Sequence, residues 1–203
     1  MNWKETGKSM LKLNEKGIIS WLLSQLALLL AAAILLASIA SITFYNDWKK
    51  EAEIRAIAMN IASEIASMDL KSYPNSTDYF LPIKPYKIYL SPSYIRIERN
   101  DGTIHKNINV VVSMWVKPYI EVWKNGTDLH ENLFEKYGHY GNISDYLPNE
   151  AKEDLKEEMD RICRELAARP FILDVNKPLH IEKDIIYFED GKMDILIVSQ
   201  EET

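Results

Sequence analysis

The chain has 203 residues, of which 47% are hydrophobic and 27% are charged, a composition typical of a folded protein. With 24 basic against 30 acidic side chains the formal net charge is -6, which disfavours broad binding to the phosphates of nucleic acid. The single cysteine, Cys163, excludes an intramolecular disulfide and a zinc site built from cysteines. We therefore expect no nucleic-acid partner and a fold stabilised by core packing.

A long apolar run without any charged residue extends from Ile18 to Tyr45. About 20 residues in a helix cross the hydrocarbon core of a bilayer, and this run is longer, so it predicts one transmembrane helix over 18–45. Four lysines stand before it, at Lys4, Lys8, Lys12 and Lys16. The positive-inside rule then predicts that the leader, residues 1–17, is cytoplasmic and that the C-terminal part is extracytoplasmic in a single-pass protein of the cell membrane.

An apolar run behind a basic leader allows three interpretations. A cleavable secretory signal would use the small residues at 38–40, but the apolar core of such signals is only about 7–15 residues long. An uncleaved membrane anchor needs nothing beyond the length of the run and its flanking lysines. The third interpretation depends on the way in which the run begins.

The run begins with Lys16-Gly17 directly before Ile18, and this resembles the class III signal peptides of archaeal type IV pilin-like proteins. The resemblance covers about residues 12–68. It implies that a prepilin-type peptidase cuts between Gly17 and Ile18, and that other pilin-like subunits are partners through the N-terminal helix. Many pilins carry Glu at the fifth mature position, where this chain has Leu22. That difference favours a minor or pseudopilin-like subunit, or a lone surface protein, over a major polymer-forming pilin.

The helix is predicted to continue beyond the membrane over residues 46–72. Apolar residues recur there along one stripe of a 3.6-residue helix, at Ile54, Ile57, Ala58, Ile61, Ile65 and Met68. No Gly or Pro interrupts the chain from Ile18 to Tyr73, so one helix with a membrane half and an amphipathic half is expected. Pilin-like proteins share this plan, and an anchor with a stalk helix would show the same pattern.

The sequence pattern of residues 73–203 predicts an extracytoplasmic α+β head with roughly five to seven mostly antiparallel strands and one internal helix. Residues 73–85 are interpreted as an irregular crossing. Strands are predicted from period-two alternation at 86–90, 94–99, 104–116 and 118–123, with turns at Asn100-Asp101-Gly102 and Asn125-Gly126. This part is expected to be an antiparallel meander.

The last third of the chain is predicted as a loop, a helix and a hairpin. Residues 129–147 are expected to form a long surface loop with one helical turn. Asn149 is expected to cap a helix that continues to Arg169, because an apolar stripe follows it and Pro170 ends it. A hairpin with its turn at Asp190-Gly191 is expected after that.

The common sequence motifs of hydrolases, nucleotide-binding proteins and metalloproteins do not occur, so we expect no catalytic residue, no cofactor and no metal. His130, Glu131, His139 and Asp145 would suit a zinc-like ion if the loop gathered them, but surface histidines are the simpler interpretation. Cys163 is interpreted as a small buried thiol.

Aromatic residues are frequent on the predicted strands, at Tyr86, Tyr89, Tyr94, Trp115, Tyr119 and Trp123. Alternation places some of them on one face of the sheet. They are expected to pack across strands against the long helix, and the alternative is a contact surface for neighbouring subunits or a ligand.

Three N-x-[ST] sequons, at Asn75, Asn125 and Asn142, lie C-terminal to the apolar run and are glycosylation candidates. Together these features predict a cell-surface protein with a structural and not an enzymatic role, namely a pilin-like subunit of a type IV pilus-like filament or secretion apparatus. Two alternatives remain open. One is a single-pass protein whose head is a sensor or binding module, and the other is a membrane-tethered hydrolase.

Overall fold

The computed structural model describes residues 3–99 and 108–200, with side chains from residue 17 onward. The chain divides into two compact units, Met1–Lys50 and Glu51–Thr203. Helix α1 spans Trp3–Asp69, so it forms the described part of the first unit and contributes its last turns to the second. The turn expected at 100–102 lies outside the described residues.

The second unit contains eight strands and two further helices within the part of the chain that the structure describes. In chain order they are β1 (Asn75–Tyr79), β2 (Tyr86–Leu90), β3 (Tyr94–Arg99), β4 (Ile108–Ser113), β5 (Tyr119–Ile120), α2 (Gly126–Tyr137), α3 (Glu150–Ala168), β6 (Phe171–Leu173), β7 (Leu179–Phe188) and β8 (Gly191–Ser199). The predicted fold class, α+β with a long N-terminal helix before antiparallel strands, is confirmed.

The strands form two sheets of four. In sheet A the order is β1-β7-β8-β5, and in sheet B it is β4-β3-β2-β6. All neighbouring strands are antiparallel except β5 and β8, which are parallel. The hairpin expected around Asp190-Gly191 is confirmed, because β7 and β8 pair from Phe188↔Gly191 onward.

The last turns of α1 form the centre of the larger hydrophobic core. The apolar stripe predicted from the sequence is buried there at Ile54, Ala58, Ile61, Ile65 and Met68, and Ile57 is partly buried. Side chains from both sheets pack around it, among them Ile97 of sheet B and Val198 of sheet A. This burial explains why the helix persists after the apolar run ends.

Sheet A is covered on both faces. Along β8 the side chains alternate, so that Leu196 and Val198 lie in the core around α1, whereas Ile195 lies in a second core. Helices α2 and α3 build that second core with apolar residues that include Leu133 and Leu155. A strand covered on both faces gives a continuous apolar run, which is the pattern of residues 195–198.

The prediction of a loop at 129–147 is wrong for its first part, where α2 forms a helix of 12 residues. The Oδ1 of Asn125 caps the helix by accepting a hydrogen bond from the Asp128 backbone N–H at 3.0 Å. Gly138, with φ at +76°, ends it in the left-handed conformation that glycine allows. The head therefore has a helix beyond the one that was predicted.

Two strand predictions also need correction. The crossing expected at 73–85 contains β1, which pairs with β7 along its whole length. The strand expected at 118–123 is reduced to the two residues of β5, and it runs parallel to β8 instead of continuing a meander. Its early end coincides with Glu121, which has a φ of +56° and whose Oε1 accepts a 2.6 Å hydrogen bond from the Gln200 backbone N–H.

The start of α3 also differs from the prediction that Asn149 caps this helix. Helix α3 does begin at Glu150, but the side chain of Asn149 makes no hydrogen bond to the helix. Its Oδ1 instead accepts a hydrogen bond from the Asp190 backbone N–H at 3.2 Å. The residue therefore connects the start of α3 to the β7–β8 turn.

Candidate functional site: the exposed apolar helix

The apolar part of α1 buries none of its side chains. Every residue from Gly17 to Lys49 is exposed. Successive residues of a helix point about 100° apart, so the consecutive Leu28, Leu29 and Leu30, exposed at 67%, 67% and 63%, cover most of its circumference. A surface that is apolar all round is not suited to water, and it is the pattern of a membrane span.

Within the described residues one helix is long and apolar enough to cross a membrane, and it is α1 from Gly17 onward. The helix is compatible with a single-pass membrane anchor. Four of its hydroxyl groups find partners within the helix itself: Ser24, Ser38, Ser41 and Thr43 each donate to a carbonyl oxygen four residues earlier. Such bonds remove the need for water, which a bilayer core does not supply.

Aromatic side chains mark the end of the apolar stretch. The rings of Tyr45 and Trp48 lie 6.3 Å apart between centroids, and both are exposed. Charged residues begin beside them, at Asp47 and Lys49. Tyrosine and tryptophan are enriched where a membrane span meets the aqueous phase, so this position fits the end of the span.

Gly17 lies on the exposed surface of α1, and a Cβ placed on it would meet no other group within 4 Å. Packing therefore does not require a glycine at this position, although glycine in a helix costs about 1 kcal/mol relative to alanine. Ile18 and Leu22 follow as exposed apolar residues.

The three sequon asparagines take different positions in the head. Asn75 begins β1 opposite Lys183. Asn125 caps α2, and Asn142 Oδ1 accepts hydrogen bonds from Ser144 N and Asp145 N at 2.9 and 3.0 Å. Both sets of bonds use the side-chain oxygen, whereas a glycan is attached to the side-chain nitrogen.

The structure does not bring the four residues considered for a metal into one site, and no group of three or more His, Cys, Asp or Glu among the described residues is placed to hold a metal ion. His139 Nδ1 lies 2.7 Å from Asp145 Oδ1, a bond that lowers the pKa of that carboxyl. His130 instead contacts Asp184 of β7, and Glu131 is exposed.

Cys163 lies on α3 and is half-buried. It lines an open groove of about 430 Å³ with Lys117 and Asp160 among its neighbours. Burial raises the pKa of the thiol above its usual value, which keeps it in the less reactive protonated form.

The aromatic residues of the strands do not share one face. Tyr86 packs in the core around α1, and its hydroxyl lies 3.3 Å from Glu53 Oε1 on that helix. Tyr119 and Trp123 instead pack on each other at 5.8 Å, at the second core. Trp115, between β4 and β5, is 99% exposed.

A group that the sequence analysis missed lies on β7, where His180, Glu182 and Asp184 alternate along one face. His180 Nδ1 lies 2.7 Å from Asp78 Oδ1 of β1, and its Nε2 lies 3.2 Å from Glu182 Oε2. His130 of α2 places its Nε2 3.2 Å from Asp184 Oδ2. We call these five residues the acid–histidine row.

Comparison of the chain with protein-family models, with curated proteins and with solved structures finds no match in any of the three.

Proposed function

We propose that this protein is a membrane-anchored, pilin-like subunit, of the minor or pseudopilin-like kind, in a type IV pilus-like filament or secretion apparatus. The observation that carries the proposal is the double character of α1. From Ile18 to Tyr45 the helix carries no charge and is exposed on all sides, whereas Ile54 to Met68 supply the centre of the head's core. A helix of this kind belongs to the fold of the head and at the same time offers an apolar surface to lipid or to other helices.

In this proposal a prepilin-type peptidase removes the leader between Gly17 and Ile18. The lysine-rich leader is charged and would oppose packing of neighbouring helix ends, so its removal frees an uncharged apolar helix. The bilayer holds the subunit before assembly, and other pilin-like subunits replace lipid around the helix afterwards. A glycine that packing does not require supports a role for Gly17 in processing.

The proposed location is the cell membrane, with the N-terminus in the cytoplasm and the head on the outer side, where the subunit enters a surface filament. Asn75, Asn125 and Asn142 would then be accessible to a glycosylation system that acts on exported protein. The role is structural, so no substrate or cofactor is proposed.

The test is the N-terminal residue of the protein purified from its native membrane, read by mass spectrometry of the terminal peptide. We expect Ile18. A Gly17→Val variant should keep its leader, because a β-branched side chain hinders a protease site while the open surface at position 17 leaves the helix itself undisturbed. Ala27→Val, a similar change within the apolar run, is the matched control and should be processed normally.

Two results would contradict the proposal. If the wild-type protein starts at Met1 or Asn2, the leader is retained and the helix is an uncleaved membrane anchor. If it starts at Ser41, a signal peptidase releases the head.

One observation favours a second candidate, a head that binds a ligand or partner. Residues Ile172, Tyr89, Arg96 and Val111 lie side by side across the four strands of sheet B. Ile172 and Val111 are exposed, and the Arg96 guanidinium stacks over the Tyr89 ring at 4.1 Å. Retention of the leader together with capture of a partner lost in a Val111→Asp variant would support this candidate over a pilin-like role.

A further inference from the structure

The acid–histidine row connects three elements of the head. Asp78 belongs to β1, the residues His180, Glu182 and Asp184 belong to β7, and His130 belongs to α2. Glu182 Oε2 also accepts a 3.0 Å hydrogen bond from the backbone N–H of Gly126, the first residue of α2. The row therefore holds both the edge strand and the start of the helix against β7.

Both histidines contact an oxygen acceptor with each ring nitrogen. His180 lies between the carboxylates of Asp78 and Glu182. His130 lies between the Asp184 carboxylate and the backbone carbonyl of Tyr140, 2.6 Å from its Nδ1. An ionised carboxylate and a carbonyl only accept hydrogen bonds, and a neutral imidazole has only one N–H. Both rings must therefore carry two protons for all four contacts to be hydrogen bonds.

Limited exposure makes these contacts matter. The side chains of His130 and Asp184 are 18% and 13% exposed, and those of His180 and Glu182 are 24% and 20% exposed. Asp78, the partner of His180 on β1, is 57% exposed, so its contact is the most screened in the row. The less exposed pairs are screened less than pairs in open solvent. Loss of a proton from either ring would leave an oxygen facing an unprotonated nitrogen, which is a repulsive contact.

The surroundings of the row contain no competing cation among the described groups that contact it. Strand β8 places Ser199, Ile197 and Ile195 opposite His180, Glu182 and Asp184 in register. Lys183, on the opposite face of β7, bonds to Asp69 and Asp194. Asp128 in the first turn of α2 accepts a hydrogen bond from the Lys124 backbone N–H. Carboxylates thus dominate the electrostatic surroundings of both rings.

The titration behaviour agrees with this geometry. The bond to Asp184 raises the pKa of His130 above its usual value, against the effect of burial and with help from the Tyr140 carbonyl. Burial lowers the pKa of His180, but the bonds to Asp78 and Glu182 outweigh it, so the net shift is upward.

We propose that His130 and His180 act as a pH-sensitive latch, which in the doubly protonated form holds α2 and β1 on β7 and on deprotonation loosens both. Groups with a raised folded-state pKa stabilise the fold fully below their unfolded pKa of about 6.5 and lose that contribution as the pH rises through the folded pKa. The latch is therefore closed in mildly acidic solution and opens toward alkaline pH. The core around α1 does not contain these residues and stays packed.

Hydrogen–deuterium exchange of the full chain in detergent micelles tests the latch, with rates corrected for the intrinsic effect of pH. Between pH 5.5 and pH 8.5 we expect peptides from α2 and β1 to lose protection by roughly tenfold for each unit by which the pKa is raised. Peptides from residues 54–68 should keep theirs. A His130→Gln/His180→Gln double variant should lose this pH dependence, and His139→Gln, a change at an exposed histidine outside the row, should retain it.

Protection of α2 and β1 that does not change with pH in the wild-type chain would overturn the proposal, as would an unchanged pH dependence in the double variant. If the double variant fails to fold, NMR titration of ¹³C-labelled histidine in the wild-type chain decides the matter. Midpoints above about 6.5 for both His130 and His180 support the latch, and midpoints at or below this value refute it.

Discussion

The Nζ of Lys183 donates a 2.6 Å hydrogen bond to the backbone carbonyl of Asp69, the last residue of α1. The same nitrogen lies 2.9 Å from Asp194 Oδ2, and the lysine side chain is only 5% exposed. The last carbonyls of a helix lack hydrogen-bond donors within it and carry partial negative charge. A buried ammonium group at this position supplies a donor and balances that charge. Strand β7 thus holds α1 with Lys183 on one face and α2 with Glu182 and Asp184 on the other.

We predict that Lys183→Met destabilises the head by about 2 kcal/mol, because the Asp69 carbonyl and the Asp194 carboxylate both lose the buried ammonium group as their partner. Chemical denaturation followed by circular dichroism measures the change. Lys87→Met, at an exposed lysine on β2, is the matched control and should leave the midpoint almost unchanged. Equal midpoints for the wild type and Lys183→Met would show that Lys183 does not stabilise the end of α1.

Much of this architecture could be predicted from the sequence where one physical signal was strong. The stripe from Ile54 to Met68 has an uninterrupted helical period, and the β7–β8 hairpin carries a turn signal between two apolar runs. Helix α2 was missed because its buried stripe consists mainly of Leu129 and Leu133, and because Asn125-Gly126 reads equally well as a hairpin turn. Strand β1 was missed because four of its five residues are polar and none is buried, so its sequence shows no apolar alternation.

The acid–histidine row illustrates a different limit. His180 and Glu182 alternate with the apolar Leu179 and Ile181, which is the usual pattern of a strand with one face in water, and Asp184 follows on the polar face after Lys183. Recognising that this face is covered requires knowing that α2 lies over it, and α2 itself was not predicted. The partners Asp78 and His130 are distant in sequence, so no local spacing connects them to β7.

A second prediction concerns the close approach of α2 to β7. A Cβ on Gly126 would overlap the carboxylate of Asp184, so Gly126→Ala must displace either the helix or the acid–histidine row. We expect a loss of about 1–3 kcal/mol in the free energy of unfolding, as for other overpacked sites. Gly191→Ala, at a position where a Cβ meets no group within 4 Å, is the control.

Thermal denaturation of both glycine variants measures this difference. A melting temperature for Gly126→Ala that equals the wild-type value would mean that α2 does not approach β7 so closely. The control should melt close to the wild type, because its added methyl group displaces nothing.

A third prediction distinguishes the part of α1 that packs in the head from the exposed apolar part, by replacing one large apolar residue with alanine in each. Ile61 is fully buried in the core, so Ile61→Ala should lower the free energy of unfolding of the head by about 2–5 kcal/mol. Leu28 is exposed on the apolar part of the helix, so Leu28→Ala should leave the unfolding of the head unchanged. Urea denaturation in micelles compares the two, and equal losses for both variants would contradict the division.

The last prediction concerns the proposed membrane span. Arginine near the middle of a transmembrane helix costs about 3 kcal/mol in insertion assays, so Leu29→Arg combined with Ala33→Arg should sharply reduce the fraction of chain that inserts. Ser63→Arg is the control. It adds a positive charge on the exposed side of α1 within the head, outside the apolar run, and should insert like the wild type. Alkaline carbonate extraction of membranes that contain each variant reports the inserted fraction. If the double variant resisted extraction as strongly as the wild type, the apolar run of α1 would not be the segment that holds this protein in the bilayer.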